Sequence, residues 1–305
     1  MGGDAPNLRA AILMNHLPNE SNVASECKHR TAVEGRLAPI VAGNSSPSRH
    51  GARALSPNSL DNVCYAERMV ESTLLSTLDK GVLTLTLNRP EKLNAIDNVL
   101  AAALLEELQA APNNPEVRVI RLRGNGRAFC AGRDISAPPT ERDLELVQDV
   151  AVAIVRHPKP VVAAVHGWTV GAGFEWTMDA DVVVAADDAR FKLPEASIGV
   201  FVTGGLVATL PAIAGLSRAK AMMLLGEEFS ARQAVDRGLA HRAVPSNQLD
   251  EVSMAVCQRL AALDPTVVAH YKRVLNAVGL DRFDRAIEEE SNATRMLVKA
   301  LPRGT

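Results

Sequence analysis

The chain has 305 residues, of which 33 are Lys or Arg and 35 are Asp or Glu, and its formal net charge is −2. Proteins that bind nucleic acids usually carry a basic face, so this balance argues against a nucleic-acid partner. Two Trp, two Tyr and six Phe are also too few for base-stacking platforms. No run of about 18 apolar residues occurs, so we expect neither an ordinary transmembrane helix nor a membrane partner.

The cysteines and histidines carry no metal-binding pattern. The four cysteines, Cys27, Cys64, Cys130 and Cys257, are far apart and irregularly spaced. The sequence contains no C-x-x-C pair and no H-E-x-x-H or H-x-E pattern, so it predicts no metal site. Isolated thiols are typical of a reducing compartment, and we therefore expect a cytoplasmic protein.

Residues 1–68 differ in composition from the rest of the chain. Small polar residues and turn formers crowd positions 43–51, and short apolar runs such as 10–14 show no sustained period. This composition predicts a disordered leader. A clear pattern begins at Met69, so a second hypothesis is that Met69 is the true start of the protein.

From Met69 onward the pattern alternates between strands and helices. Strands are expected at 73–78, 82–87, 117–122, 161–165 and 182–186, and helices at 98–111, 141–157 and from 172. Asp97 is a plausible N-cap for the first of these helices. After about Ser217 the chain is expected to be all-helical. The sequence thus predicts an α/β core over 69–245, followed by a C-terminal helical segment over 246–305.

Three loops follow predicted strands and carry unusual residue types, at 126–134, 171–175 and 193–195. Sites of α/β proteins cluster at strand ends, so Glu175 and Glu195 are candidate functional residues. Each signal alone is weak, because a glutamate in the first turn of a helix usually only stabilises the helix dipole. The Gly-x-Gly pair in the second loop is not a dinucleotide fingerprint, because Trp176 stands where the third glycine belongs.

Taken in order, these segments resemble the crotonase (enoyl-CoA hydratase/isomerase) superfamily from about residue 70 to residue 278. The matching stretches are 87–95, 128–135, 159–167, 171–175, 180–181, 191, 194–195, 199, 229–231 and 238–240. The resemblance implies a crotonase-type spiral of ββα units, followed by C-terminal helices. It also implies assembly as a homotrimer or a dimer of trimers, although the Ala- and Leu-rich helices after Ser217 are equally compatible with packing inside one chain.

The family resemblance implies an acyl-CoA substrate whose thioester carbonyl is activated by two backbone N–H groups. By position, these donors would be the amides of Ala131 and Ala172. Glu175 and Glu195 match the two carboxylates of the hydratases, with Glu175 acting on water and Glu195 supplying a proton to C2. The alternatives are an enoyl-CoA isomerase or another crotonase-type acyl-CoA enzyme, and a non-catalytic acyl-CoA-binding homologue. CoA would enter as part of the substrate, so no separate cofactor is expected.

The resemblance also suggests residues that contact CoA or the substrate. They are Lys92, Ala95, Ala128, Gly132, Arg133, Asp134 and Ile135. Lys92 could equally be a solvated surface charge, and Arg133 stands where small residues are common in the family. The 199–205 loop lacks a proline that many members have there and is one residue shorter, which leaves the acyl preference open.

Overall fold

The computed structural model describes residues 72–300, and of Ala300 only the backbone. The predictions made for residues 1–68 and for Met69 lie outside these residues. The strands are β1 (Leu74–Asp79), β2 (Val82–Leu87), β3 (Val119–Gly124), β4 (Ala128–Cys130), β5 (Val161–Val165), β6 (Trp168–Val170), β7 (Val182–Ala186), β8 (Arg190–Lys192), β9 (Phe229–Ser230) and β10 (Arg242–Val244).

The helices follow the strands in a regular order. They are α1 (Asn98–Ala110), α2 (Glu141–Val155), α3 (Ala172–Asp179), α4 (Glu195–Ile198), α5 (Leu206–Ala214), α6 (Leu216–Leu225), α7 (Ala231–Asp236), α8 (Leu249–Ala261), α9 (Pro265–Gly279) and α10 (Phe283–Ala300). Among these residues, no helix is both long and apolar enough to cross a membrane.

The strands form two sheets, and successive strands from β3 to β8 enter the two sheets alternately. The larger sheet has the order β1-β2-β3-β5-β7-β10, and all its pairs are parallel except β1 with β2. The smaller sheet has the order β4-β6-β8-β9. The strand pairs β3/β4, β5/β6 and β7/β8 each send one strand to either sheet and are each followed by a helix. This repeat is the spiral of ββα units that the sequence predicts.

Strand β5 shows why the large sheet is apolar on both faces. Its side chains alternate between two buried clusters: Val161, Ala163 and Val165 face the main core, whereas Val162 and Ala164 face a second cluster. Helix α8 covers that second cluster. A strand covered on both sides loses the alternation of polar and apolar residues, which is why β5 reads as a continuous apolar run.

The predicted strands at 82–87, 161–165 and 182–186 match the structure at both ends. The first helix begins at Asn98, and the Asp97 carboxylate accepts a hydrogen bond from the Leu100 N–H group at 2.8 Å, as a helix N-cap does. The expectation of an all-helical chain after Ser217 is wrong, because β9 and β10 lie in that region. Strands of two and three residues are too short to show a period of two.

The last two helices are attached to the core by buried polar contacts. On α9, the Lys272 ammonium group donates to Asp181 Oδ2 (2.7 Å) and to the Ile154 carbonyl (2.9 Å). On α10, the Ser291 hydroxyl lies 2.9 Å from the side-chain amide nitrogen of Gln148 on α2. These contacts fix α9 and α10 against the core.

Candidate active site

Helix α3 begins directly after the turn at Gly171 and carries Glu175 in its first turn. The Glu175 side chain is buried, and 1% of the residue surface is exposed. Its Oε2 atom accepts hydrogen bonds from the N–H groups of Thr203 (3.0 Å) and Gly204 (2.5 Å) and from the Thr203 hydroxyl (3.3 Å). These bonds fix the carboxyl group, and its other oxygen, Oε1, accepts no hydrogen bond from the described residues.

Glu195 is the first residue of α4 and follows strand β8 after a two-residue turn. It is buried, and its Oε2 atom has no hydrogen-bond partner within residues 72–300. Burial, together with the negative charge of Glu175, raises the pKa of Glu195 to about 8. The protonated form of Glu195 therefore predominates at neutral pH.

The surroundings of Glu175 are different. Burial raises the pKa of Glu175, but the hydrogen bonds from Thr203 and Gly204 and the charge of Arg133 oppose this increase. The Arg133 guanidinium forms an ion pair with Asp143, with 3.4 Å between Nη2 and Oδ1. Hydrogen-bond donors and a cation favour a carboxylate, whereas burial without donors favours a carboxylic acid. Two neighbouring carboxyl groups in such different environments can serve as base and acid.

The backbone after β4 shows which amide groups are available. The Ala131 N–H group donates to the Leu93 carbonyl at 2.9 Å. The Ala131 amide is therefore already bonded, and the prediction that it is one of the two donors to the thioester is wrong. Arg133 forms a parallel β-bridge with Ile96 in which only the neighbours of Arg133 make the hydrogen bonds, so the N–H group of Arg133 points away from that segment. It has no acceptor among residues 72–300, and it replaces Ala131 as the candidate donor.

Ala172, the second candidate donor, is the first residue of α3, where helix N–H groups have no partner within the helix. Gly132 brings the two loops together: a Cβ atom built on it would lie 2.9 Å from the Val170 carbonyl oxygen and 3.7 Å from the Ala172 nitrogen. Its φ of +88° is also rarely adopted by residues with a side chain. Because Arg133 follows Gly132 directly, the amides of Arg133 and Ala172 lie on loops that touch. The positive end of the α3 dipole adds to their field.

The structure brings most of the other candidate residues to one region. Lys92 and Ile135 are exposed, and Ala95 and Asp134 are half-buried. The bridge between Ile96 and Arg133 holds the 92–95 turn beside the 132–135 loop. Ala128, in contrast, is not accessible to a ligand. It is fully buried, and its carbonyl accepts a hydrogen bond from the Asn94 side chain at 2.8 Å.

The side chain of Asn94 joins the 92–95 turn to the segment that ends at Ala128. The sequence analysis did not name it as a candidate residue. It is buried and has a φ of +56°, in the left-handed region. Its side-chain amide donates to the carbonyls of Ala128 and Asn125, both at 2.8 Å, and its side-chain oxygen accepts from the Arg89 N–H group at 2.8 Å. Asn adopts the left-handed region more often than most residues, so an Asn in a turn was the only local indication of this backbone conformation.

Two buried acids near Glu175 were also missed. Asp179 lies one turn further along α3, and both of its carboxyl oxygens lack a hydrogen-bond partner in the described part of the chain. Glu290 on α10 is fully buried and interacts electrostatically with Glu175 and with Asp179. Neither could be found from sequence, because α10 is distant in the chain and Asp179 belongs to no motif.

The glutamate pair is distinct from a surface cavity of about 450 Å³ between the end of α2 and α9, which none of the predicted site residues lines. Among residues 72–300, no group of three or more His, Cys, Asp or Glu side chains is arranged to hold a metal ion.

Comparison with known proteins places this geometry in a family. A family model described as enoyl-CoA hydratase/isomerase matches residues 77–301. The chain belongs to the enoyl-CoA hydratase/isomerase family. The superfamily and the crotonase fold expected from the sequence are thereby confirmed, and the protein is a crotonase-type acyl-CoA enzyme.

Relatives in this family carry both hydratase and isomerase names. The 1,2-epoxyphenylacetyl-CoA isomerase of Escherichia coli (strain K12) is 32% identical over 233 residues, which cover 73% of this chain and 89% of that protein. The 2,3-dehydroadipyl-CoA hydratase of the same strain is 35% identical over 209 residues, covering 67% and 82%. The crystal structure of an enoyl-CoA hydratase from Mycobacterium avium subsp. paratuberculosis K-10 superimposes with a TM-score of 0.71 at 31% identity, covering 75% and 91%.

Proposed function

We propose that the protein is an enoyl-CoA hydratase, which adds water across the 2,3 double bond of an enoyl-CoA thioester. The observation that supports this most is the buried pair of glutamates in unlike environments. Glu175 is held by three hydrogen-bond donors, and Glu195 has a raised pKa and an unpartnered oxygen. Hydration needs a base for water and an acid for the α-carbon, and this pair can supply both.

The thioester oxygen is proposed to lie between the N–H groups of Arg133 and Ala172. As water attacks, negative charge moves from the double bond onto that oxygen, where two backbone donors and the α3 dipole stabilise it. Each such donor typically lowers the barrier by about 3 kcal/mol. Ala172 supports this role because its backbone is already fixed by the helix it begins.

Proton transfer is proposed to proceed in opposite directions at the two glutamates. Glu175 accepts a proton from water through its free Oε1 atom while the water oxygen bonds to C3. The electron pair of the double bond then takes the proton of Glu195 at C2. One water molecule is consumed, and neither oxidant nor metal is required. Glu195 suits the donor role because its raised pKa keeps it protonated at neutral pH.

CoA is proposed to lie along the 92–95 turn and the 132–135 loop, as part of the substrate and with no separate cofactor. Lys92 is exposed and can reach a phosphate. Ala95 and Gly132 would only line the ligand, because the N–H and carbonyl groups of Ala95 and the carbonyl of Gly132 already form hydrogen bonds within the chain. Ile135 is 49% exposed and can cover an apolar part of the ligand. Asp134 contributes indirectly, because its carboxylate is held by Arg89 at 3.0 Å.

A product-resolved assay tests the proposed activity. The protein is mixed with crotonyl-CoA and with bulkier enoyl-CoA esters, and the absorbance of the conjugated thioester is followed together with the product mass. A hydratase lowers the absorbance reversibly and gives a product heavier by one water. Near-normal turnover by both Glu175→Gln and Glu195→Gln would contradict the assignment.

The second candidate is an enoyl-CoA isomerase, which moves a proton between C2 and C4 and needs one carboxylate. The match to a protein named 1,2-epoxyphenylacetyl-CoA isomerase favours keeping this candidate. A 3-enoyl-CoA substrate separates the two, since an isomerase gives a product of unchanged mass. Binding of CoA esters without any product across the panel would instead indicate a non-catalytic homologue.

We also propose self-association as a homotrimer or a dimer of trimers, in the cytoplasm. Large apolar side chains lie exposed on α6 and α9, among them Leu224 (71%), Tyr271 (69%) and Val278 (76%). Apolar side chains exposed together on a surface are typical of protein interfaces. Sedimentation equilibrium measures the mass of the assembly, and a monomer at micromolar concentration would contradict the proposal.

A further inference from the structure

The carboxylate of Glu175 is held by a short segment that a second buried glutamate holds from the other side. We call this segment, residues 203–207, the strap. Successive N–H groups of the strap point to different carboxyl groups: Gly204 donates to Glu175 Oε2 at 2.5 Å, and Gly205 donates to Glu290 Oε2 at 2.7 Å. The Val207 N–H group donates to the other Glu290 oxygen at 2.8 Å.

Packing supports the same connection. Phe283, in the first turn of α10, fills the space that a side chain at Gly205 would need. Helix α10 therefore contacts the strap twice, through the Phe283 ring and through the Glu290 carboxyl group. Since α10 is itself attached to α2 by the contact between Gln148 and Ser291, the strap is held by a fixed element.

A favourable charge interaction does not account for an acidic residue at position 290. Burial and the nearby charge of Glu175 raise the pKa of Glu290 to about 8, and Asp179 is a further acid beside it. Three acids in one buried region disfavour one another as charges. The hydrogen bonds to the strap are therefore the contribution of Glu290 that the structure supports.

We propose that Glu290 is a positioning residue: through the strap, it holds the N–H groups that fix Glu175, so helix α10 sets the position of that carboxylate. This inference rests on the proposed function of Glu175 as the base for water. Its alternative is a purely structural one, in which Glu290 only caps the N-terminus of α5 and contributes stability.

The test compares Glu290→Gln with two controls. Glutamine keeps one acceptor oxygen but turns an amide group towards the second strap N–H group. Glu288→Gln changes an exposed residue on the same helix. Asp264→Ala removes the N-cap of α9, whose carboxylate accepts from the Val267 N–H group at 3.0 Å, and so lowers stability away from the site.

For hydration of crotonyl-CoA, Glu290→Gln is expected to lower kcat by about tenfold or more with KM within about twofold, because a displaced base affects chemistry more than binding. Glu288→Gln and Asp264→Ala should keep the wild-type kcat. A folded Glu290→Gln protein with wild-type kcat would overturn the proposal, and so would an equal loss of kcat in Asp264→Ala.

A second readout does not depend on activity. Hydrogen exchange of the strap amides, measured by mass spectrometry, should be faster in Glu290→Gln than in the wild type and unchanged in Glu288→Gln. If the wild type hydrates none of the esters, the proposed function fails while this measurement still tests the strap. Unchanged exchange in a folded variant would overturn the positioning role. If Glu290→Gln does not fold, Phe283→Leu loosens the same contact, and the same pattern is expected of it.

Discussion

Glu195 occupies the space that a side chain at Gly171 would need, because a Cβ atom built on Gly171 lies 2.6 Å from Glu195 Oε1. Gly171 also has a φ of +52°, which residues with a side chain rarely adopt. Gly171, which directly precedes α3, and Glu195, the acid of the proposed reaction, therefore constrain each other. Any side chain at this position must move the turn, the carboxyl group or both.

Gly171→Ala is accordingly expected to reduce kcat for enoyl-CoA hydration by about 100-fold, because displacements of about 1 Å have that effect on catalysis. Stopped-flow or steady-state assays with crotonyl-CoA measure it. Gly279→Ala is the matched control, since a Cβ atom there meets nothing within 4 Å. Equal kcat values for the two variants would contradict the contact.

The pH profile of kcat should report the protonation of Glu195. As the proposed acid, Glu195 is active in its protonated form, and its pKa is raised to about 8 by burial and by the charge of Glu175. Activity is therefore expected to fall as the pH rises through about 8. In Glu195→Gln the residual activity should lack this alkaline decrease. An identical decrease in the variant would assign it to another group.

Arg133 should influence the acidic side of the same profile. Its positive charge favours the carboxylate form of Glu175 and so opposes the rise in the pKa of that group. Arg133→Gln keeps the backbone N–H group but removes this charge, so the pKa of Glu175 should rise and the acidic decrease of kcat should move to higher pH. Arg142→Gln, which changes an exposed arginine paired with Glu145, is the control and should leave the profile unchanged. A wild-type profile for both variants would argue against the interaction.

Asp179 should cost the protein stability at neutral and alkaline pH. Burial and the charges of Glu175 and Glu290 raise its pKa well above the ordinary value, and Lys272 opposes them. Because its pKa is higher in the folded state, the folded protein holds this proton more tightly. The resulting stability is complete below the unfolded pKa, about 4, and is lost as the pH rises.

Asp179→Asn mimics the protonated side chain. The free energy of unfolding in urea should therefore rise near pH 8, by about 1.4 kcal/mol for each unit by which folding raises the pKa of Asp179 up to that pH, and should match the wild type near pH 4. Asp236→Asn, at an exposed position on α7, is the control and should change neither value. A destabilised Asp179→Asn protein at pH 8 would contradict the assignment of an uncompensated charge.

The sequence predicted those parts of the site and fold that depend on short stretches of neighbouring residues. Glu175 and Glu195 each stand just after a strand-derived turn, which made them candidates, and the structure buries both and places them within electrostatic range. The two central strands β5 and β7 could be located because a sheet covered on both faces needs unbroken apolar runs.

The failures have physical causes of a different kind. Whether Ala131 or Arg133 offers a free amide depends on which N–H group turns towards Leu93 and Ile96, and this backbone register is not visible in residue types. Glu290 carries no local signal of its role, because its partner Gly205 is 85 residues away. Contacts between distant segments depend on how the whole chain packs.

The contact between Glu290 and the strap also sets an order of events during protein synthesis. Gly205 in the strap is synthesised 85 residues before Glu290, so the strap of the growing chain at first lacks this partner. If Glu290 holds the strap as proposed, Glu175 reaches its final position only after helix α10 has left the ribosome and docked.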